Sequence, residues 1–185
     1  MSDSVTLLCQ KAKTGNRAAA IELVDLHYER IYAWLRRLTG NEQDAADLTQ
    51  KTFIRAWGAL RRFEGRSSFS TWLHGIGHHV YLDWRRQPKP TDHATDAWWE
   101  NCASEEPSPS DMVSERELVS QVYALVDTLE EDARQTVHLH YYQGLSIAET
   151  AETLGVATGT VKYRLRQAID LVRRRLREPK PFTIE

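Results

Sequence analysis

Between residues 158 and 176 an arginine-rich segment carries Lys162, Tyr163, Arg166 and Gln167, with Thr160 and Arg164 at the margins. On a helix, residues three and four apart are neighbours, so these side chains share one surface. They are of the kinds that donate to phosphate oxygens and to base edges in a major groove. Val161, Leu165, Ala168, Val172 and Leu176 recur every three or four residues on the other side, which predicts a buried stripe. Just upstream, Ser146-Ile147-Ala148-Glu149 reads as a capping box, Gly155 as a helix stop and Val156-Ala157 as a turn. A short capped helix, a glycine turn and a longer basic helix make a helix-turn-helix pattern, whose base readers sit in the first turns of the second helix.

A second constellation interleaves aromatic rings with arginines: Trp57, Arg61, Arg62, Phe63, Arg66, Phe69, Trp72, Tyr81, Trp84, Arg85 and Arg86. Stacking platforms beside cations suit single-stranded nucleic acid. The loop holding Gly65, Ser67 and Ser68 can receive an unstacked base and hydrogen-bond it. Trp57, Trp72 and Trp84 stand at helical spacing and are expected to lie at least partly in a core.

The elements that position these residues read as helices throughout. A stripe of Ala20, Val24, Ile31, Leu35 and Leu38 predicts a helix over 16–39, stopped by Gly40. Asn41 caps the next, over 44–60, with Ala45, Leu48, Phe53, Ala56, Trp57 and Leu60 inward. Ser70 is expected to cap a third, with the stripe Leu73, Ile76, Val80 and Trp84, ending near Arg86. Leu118, Val122, Leu125, Val126 and Leu129 predict a helix, and another runs from Glu131 to Gln143 before Gly144.

The 185 residues carry a net charge of −2, but the charge is unevenly placed. Residues 1–88 hold 13 Lys/Arg against 9 Asp/Glu, a net +4; residues 157–178 hold a net +5. Between them, residues 89–112 are net −5 and residues 113–156 net −6. Two basic regions separated by acidic ones point to two anionic contacts on one chain. Residues 89–112 lack helical periodicity and are rich in Pro, Ser, Thr and acids, with Trp98 and Trp99 among them, so they read as a flexible linker.

The reading is all-α: two small helical domains joined by a flexible acidic linker, the second with a helix-turn-helix. Its divisions are 1–88, 89–112, 113–178 and a tail over 179–185. Cys9 and Cys102 alone exclude a disulfide framework and a cysteine-only zinc site. With neither a secretory signal nor an apolar run of about 18 residues, a cytoplasmic protein without membrane insertion is expected. His74 and His78 are spaced i,i+4, which can hold zinc, and His138 and His140 lie close together. Without a His-Glu-x-x-His motif, they are expected to be surface or half-buried imidazoles. No nucleophile elbow or P-loop is present, so no enzyme, metal or cofactor is expected.

Three of these segments also resemble, in order, parts of extracytoplasmic-function sigma factors. Residues 44–57, Asp-Ala-Ala-Asp-Leu-Thr-Gln-Lys-Thr-Phe-Ile-Arg-Ala-Trp, resemble the family's core-polymerase-binding helix. Residues 63–73, Phe-Glu-Gly-Arg-Ser-Ser-Phe-Ser-Thr-Trp-Leu, resemble its loop and helix for the minus-ten promoter element, and residues 145–169 its minus-thirty-five reader. The resemblance implies polymerase binding by Asp47, Gln50, Lys51 and Ile54, where Lys51 replaces a frequent acid. It implies minus-ten contacts by Arg61, Arg62, Phe63, Gly65, Arg66, Ser67 and Ser68, the loop capturing an unpaired base. His79 falls at strand-opening positions, within Gly77-His78-His79 where an Ala-Arg-Asn-like run is common. Thr160, Lys162, Tyr163, Arg164, Arg166 and Gln167 are implied to contact the minus-thirty-five element, Tyr163 being bulkier than usual.

Core RNA polymerase, promoter DNA and an anti-sigma factor are the implied partners, and transcription initiation of a stress or envelope-response regulon the implied function. A stand-alone helix-turn-helix regulator and a metal-dependent enzyme using the histidines are the alternatives. Fully extended, 24 linker residues reach about 80 Å, against roughly 85 Å for elements about 25 base pairs apart. The halves are therefore expected to touch in the free chain, hiding the basic surfaces, and to part on polymerase.

Overall fold

The computed structural model describes residues 2–87 and 111–177. The linker with Trp98, Trp99 and Cys102 and the tail over 179–185 lie outside the described residues, except that Asp111 and Met112 open a helix. Among the described residues every regular element is helical. The first half holds α1 (Ser2–Lys13), α2 (Arg17–Thr39), α3 (Glu42–Ala59), a 3-10 turn (Leu60–Arg62) and α4 (Phe69–Arg85). The second holds α5 (Asp111–Asp127), α6 (Glu131–Val137), a π turn (His138–Tyr142), α7 (Ile147–Leu154) and α8 (Thr158–Arg177).

The helix ends follow local chemistry. Asn16 Oδ1 accepts from the Ala19 N–H at 3.0 Å and Asn41 Oδ1 from the Asp44 N–H at 3.1 Å, each satisfying an otherwise orphaned donor. Between them Gly40 closes α2 at φ 70°, a left-handed conformation that glycine adopts without a Cβ clash. The cap of α4 is Ser68 and not Ser70: its Oγ accepts from the Thr71 N–H at 3.0 Å. The element that sequence reading missed is α1. Val5, Leu8, Cys9 and Ala12 pack it on the first core, at the i, i+3, i+4, i+7 spacing of an amphipathic helix.

The first core gathers Leu23, Ile31, Trp34, Leu35, Leu48, Leu73 and Val80, with Trp57, Trp72 and Trp84 partly buried at its edge as expected. The second is smaller: Val126, Leu129, Val137, Ala151, Val161, Leu165 and Ala168. Two ends of the predicted stripes fall outside it, Leu118 and Leu176 being exposed. Leu176 lies in the last turn of α8, past the apolar side chains of the second core.

The expected contact between the halves is present. Leu139 and Leu145 are buried in the first half's core, and Leu154 packs against it. The Arg30 guanidinium donates to the Gln143 carbonyl. The Arg37 guanidinium lies 4.4 Å from the Tyr123 ring centroid and 4.9 Å from that of Tyr142, a cation–π contact with two rings that stack on each other at 5.2 Å. Tyr81 donates its hydroxyl to Glu131 at 2.6 Å.

Candidate nucleic-acid interface

The second helix of the helix-turn-helix is held by its apolar side. Val161, Leu165 and Ala168 are buried, which turns Lys162, Tyr163, Arg166 and Gln167 to solvent. Thr160 is half-buried, and Arg164 is half-buried and paired with Asp132 of α6, so its guanidinium is already engaged. The pair places α6 against the start of α8. Upstream, the capping box forms as read: the Glu149 N–H donates to Ser146 Oγ at 3.2 Å and the Ser146 N–H to Glu149 Oε2 at 2.9 Å. Gly155 at φ 66° then makes the left-handed stop.

In the first half, Arg61 and Arg62 of the 3-10 turn and Arg66 of the loop are exposed, Arg66 beside Glu64 at 3.3 Å. Gly65 turns the loop at φ 73°, where a side-chain-bearing residue would be strained. Phe63 is buried rather than offered as a platform. Its ring meets Phe69 at 5.8 Å and Trp72 at 4.9 Å, and Lys13 donates to its carbonyl. Beneath the loop lies a cavity of about 420 Å³ walled by Phe63, Gly65, Ser67 and Ser68 on one side and by Cys9 and Lys13 of α1 on the other. That volume falls within the range of small-ligand pockets, roughly 300–1,000 Å³. The α1 wall was missed with its helix.

Asp47, Gln50, Lys51 and Ile54 are all exposed on one face of α3, Ile54 at 62%. His79 is exposed on α4, its Nδ1 2.7 Å from the Gly75 carbonyl.

Closing the chain leaves these faces mostly open. Contrary to expectation, the contact between the halves covers neither the α8 face nor Arg61, Arg62 and Arg66, because it is built from α7 and the π turn against α4 and α2. What it does engage is the start of α4. Thr71 donates its hydroxyl to Glu149 Oε1 at 2.8 Å and Ser68 donates to the same oxygen at 3.3 Å. The Ser146 N–H and these hydroxyls hold the Glu149 carboxyl below its ordinary range.

The histidines correct the sequence reading more sharply. His74 and His78 are buried, not at the surface, and so is His138; His140 is half-buried. The Trp34 ring lies 5.3 Å from His74, and Gln143 of the second half faces that histidine. Among the described residues no three His, Cys, Asp or Glu side chains are grouped as metal ligands. No described helix is long and apolar enough to cross a membrane.

Comparison with known proteins agrees with both halves. Residues 23–90 match the family model Sigma-70 region 2, and residues 120–171 match Sigma-70, region 4. The chain is 36% identical over 156 residues to the ECF RNA polymerase sigma factor SigE of Mycolicibacterium smegmatis, covering 82% of this chain and 60% of that relative. It is 30% identical over 178 residues to the ECF RNA polymerase sigma factor SigW of Bacillus subtilis, covering 91% of this chain and 95% of that one. In fold it is similar to CnrH in complex with the cytosolic domain of CnrY, with a TM-score of 0.68 and 24% identity over 94% of this chain and 97% of that one. It is also similar to the sigma factor RpoE in complex with the anti-sigma factor NepR from Bartonella quintana, with a TM-score of 0.61 and 20% identity over 84% and 94% of the two chains. Matched along nearly its whole length by such relatives, the chain belongs to the extracytoplasmic-function RNA polymerase sigma factors.

Proposed function

We propose that this sigma factor docks on core RNA polymerase through the α3 face of Asp47, Gln50, Lys51 and Ile54 and selects promoters with both halves. The first half takes an unpaired base of the minus-ten element into the cavity beneath the loop, with Arg61, Arg62 and Arg66 on the neighbouring phosphates. Gly65, Ser67 and Ser68 offer the base backbone and hydroxyl partners, Phe63 forms the apolar floor, and His79 meets the strand further along α4. The second half lays α8 in the major groove of the minus-thirty-five element, with Lys162 and Arg166 on base edges and Thr160, Tyr163, Arg164 and Gln167 beside them.

One observation carries this reading. The exposed donor face of α8 and the basic loop over its cavity lie on separate helical bodies of one chain, each on its own core. A repressor-like regulator would have no use for the cavity or for the α3 face.

The protein acts in the cytoplasm, where polymerase is, and an anti-sigma protein holds it until induction; one structural neighbour, RpoE, is in complex with the anti-sigma factor NepR. Co-purification with core polymerase followed by run-off transcription tests the proposal. Retention on the core and new transcripts from a cognate promoter are expected. No retention and an unchanged transcript pattern would overturn it.

A further inference from the structure

Three imidazoles are buried where the two halves meet, and each keeps at least one ring nitrogen without a well-formed hydrogen bond, although His74 Nδ1 lies 2.8 Å from the Ser70 carbonyl. His74 is 1% exposed, His78 7% and His138 0%. Nε2 of His74, Nδ1 of His78 and both ring nitrogens of His138 have no hydrogen-bond partner. In each case the covering group comes from the opposite half: Gln143 faces His74, Gln135 faces His78, and Arg37 of α2 faces His138. We propose that this contact is a proton-operated latch, in which His74, His78 and His138 hold the chain closed while neutral and open it when protonated.

The charges around the rings favour the neutral form. His74 is faced by Arg30 and His27 of α2. His78 has His79 beside it on α4, with Asp132 and Glu131 of α6 opposite. His138 is faced by Arg37 of α2 and by Arg134 and Glu131 of α6. The carboxylates, the Ser70 carbonyl at His74 and the side chains of Gln143 at His74 and Gln135 at His78 pull toward protonation, though Asp132 is engaged by Arg164, and Glu131 by Tyr81, Arg134 and Gln135. Desolvation outweighs them, and pushes His74 and His78 down to about 4 and His138 to about 3 from an ordinary 6.5.

The linkage has a definite sign. A histidine whose value is lowered on closing stabilises the closed form fully above 6.5 and progressively less as pH falls toward 4. A ring that returns to 6.5 on opening raises the opening constant about tenfold between pH 7.5 and 5.5, so the three together raise it by at most roughly a thousandfold. Opening also releases Ser68 and Thr71 from Glu149. A closed chain of this length is about 40 Å across, too short for elements about 85 Å apart. The consequence for promoters rests on the sigma-factor reading; the latch itself belongs to the chain alone.

Small-angle scattering of the full chain, with far-UV dichroism alongside, tests the latch from pH 7.5 to 5.0 without polymerase or DNA. The radius of gyration is expected to rise from about 16 Å as pH falls below 6.5, with helicity unchanged. His78→Gln should flatten the rise by about one proton and His74→Gln/His78→Gln/His138→Gln should nearly abolish it, whereas His27→Gln, beneath Phe69 within the first half, should leave its slope unaltered. A constant wild-type radius, or a rise that is the same in well-folded His78→Gln, would overturn the proposal. If the triple variant lacks wild-type helicity, histidine proton resonances of the wild type decide. Three rings that stay neutral until the radius rises support the latch. Rings that titrate near 6.5 at constant radius overturn it. Its failure leaves the run-off result standing, and the converse holds.

Discussion

Tyr81 reaches from α4 to Glu131 at the start of α6 and donates its hydroxyl at 2.6 Å, joining two halves across 50 residues of sequence. Burial and the neighbouring carboxylate push the phenol well above its ordinary range, so it remains a donor at all working pH. On the other side, burial works to raise the Glu131 carboxyl, but the bonds from Tyr81 and Gln135 and the charges of Arg134 and Arg85 bring it below its ordinary value. Tyr81→Phe keeps the ring in place and removes this donor. A hydrogen bond to a charged group contributes about 1.5–3 kcal/mol, so urea denaturation at pH 7 should show a drop of about that size. A depressed carboxyl stabilises above its unfolded value of 4.5 and loses that contribution as pH falls further. The difference between wild type and Tyr81→Phe should therefore shrink as pH falls, first where the halves part below 6.5 and further below 4.5 as Glu131 is protonated.

Gly77 of α4 packs closely against Trp34 of α2 and Thr52 of α3. A Cβ there would stand 2.9 Å from Trp34 Cζ3 and 3.4 Å from Thr52 Cγ2. Trp34 is fully buried and cannot swing away. Gly77→Ala should therefore destabilise by about 1–3 kcal/mol through overpacking, although alanine favours helices. A raised thermal midpoint in the variant would show that the two helices separate freely here.

Neither of these two contacts was legible in sequence, because both join residues far apart in the chain. Helix periodicity located α2 to α8, because each has an apolar stripe, and Asn16, Gly40, Asn41, Ser146 and Gly155 marked the ends of α2, α3 and α7. The cap of α4 slipped two residues, since Ser68 and Ser70 are chemically alike and only the Thr71 N–H separates them. The same periodic signal was present in Val5, Leu8, Cys9 and Ala12 and went unread. The buried histidines were not legible, because an imidazole pattern is the same whether its cover is solvent or another domain. Gln143 over His74 and Gln135 over His78 both come from the far side of the linker, where no local spacing announces them. The α8 face was fully readable, since Val161, Leu165 and Ala168 leave only one side for Lys162 and Arg166.

The α3 face gives the third prediction. Asp47 and Gln50 are exposed, and Asp47 accepts an i,i+4 bond from Gln43 at 3.3 Å. Asp47→Ala with Gln50→Ala should change stability by no more than about 0.5 kcal/mol. Binding to core polymerase should nevertheless weaken at least tenfold, about 1.4 kcal/mol. Ile54→Ala should weaken binding as well, since an exposed apolar side chain is useful mainly when a partner covers it. Unchanged retention on immobilised core enzyme by both variants would move the docking surface elsewhere.

The recognition helix gives the fourth. Arg166 is exposed one turn beyond Lys162, on the face that Leu165 and Ala168 leave open. A bidentate contact from arginine to guanine contributes roughly 1–3 kcal/mol of discrimination. Arg166→Ala should therefore relax base preference at one or two adjacent upstream positions, while other positions keep their ranking. Arg173 and Arg174 lie exposed further along α8 and are expected to meet phosphates rather than base edges. Neutralising them should weaken binding to all sequences alike and lower the slope of log affinity against log salt by about one for each phosphate left without its arginine. A promoter-mutation scan together with a salt titration separates the two behaviours. An identical base preference in Arg166→Ala and wild type would remove Arg166 from the readers, whatever happened to overall affinity.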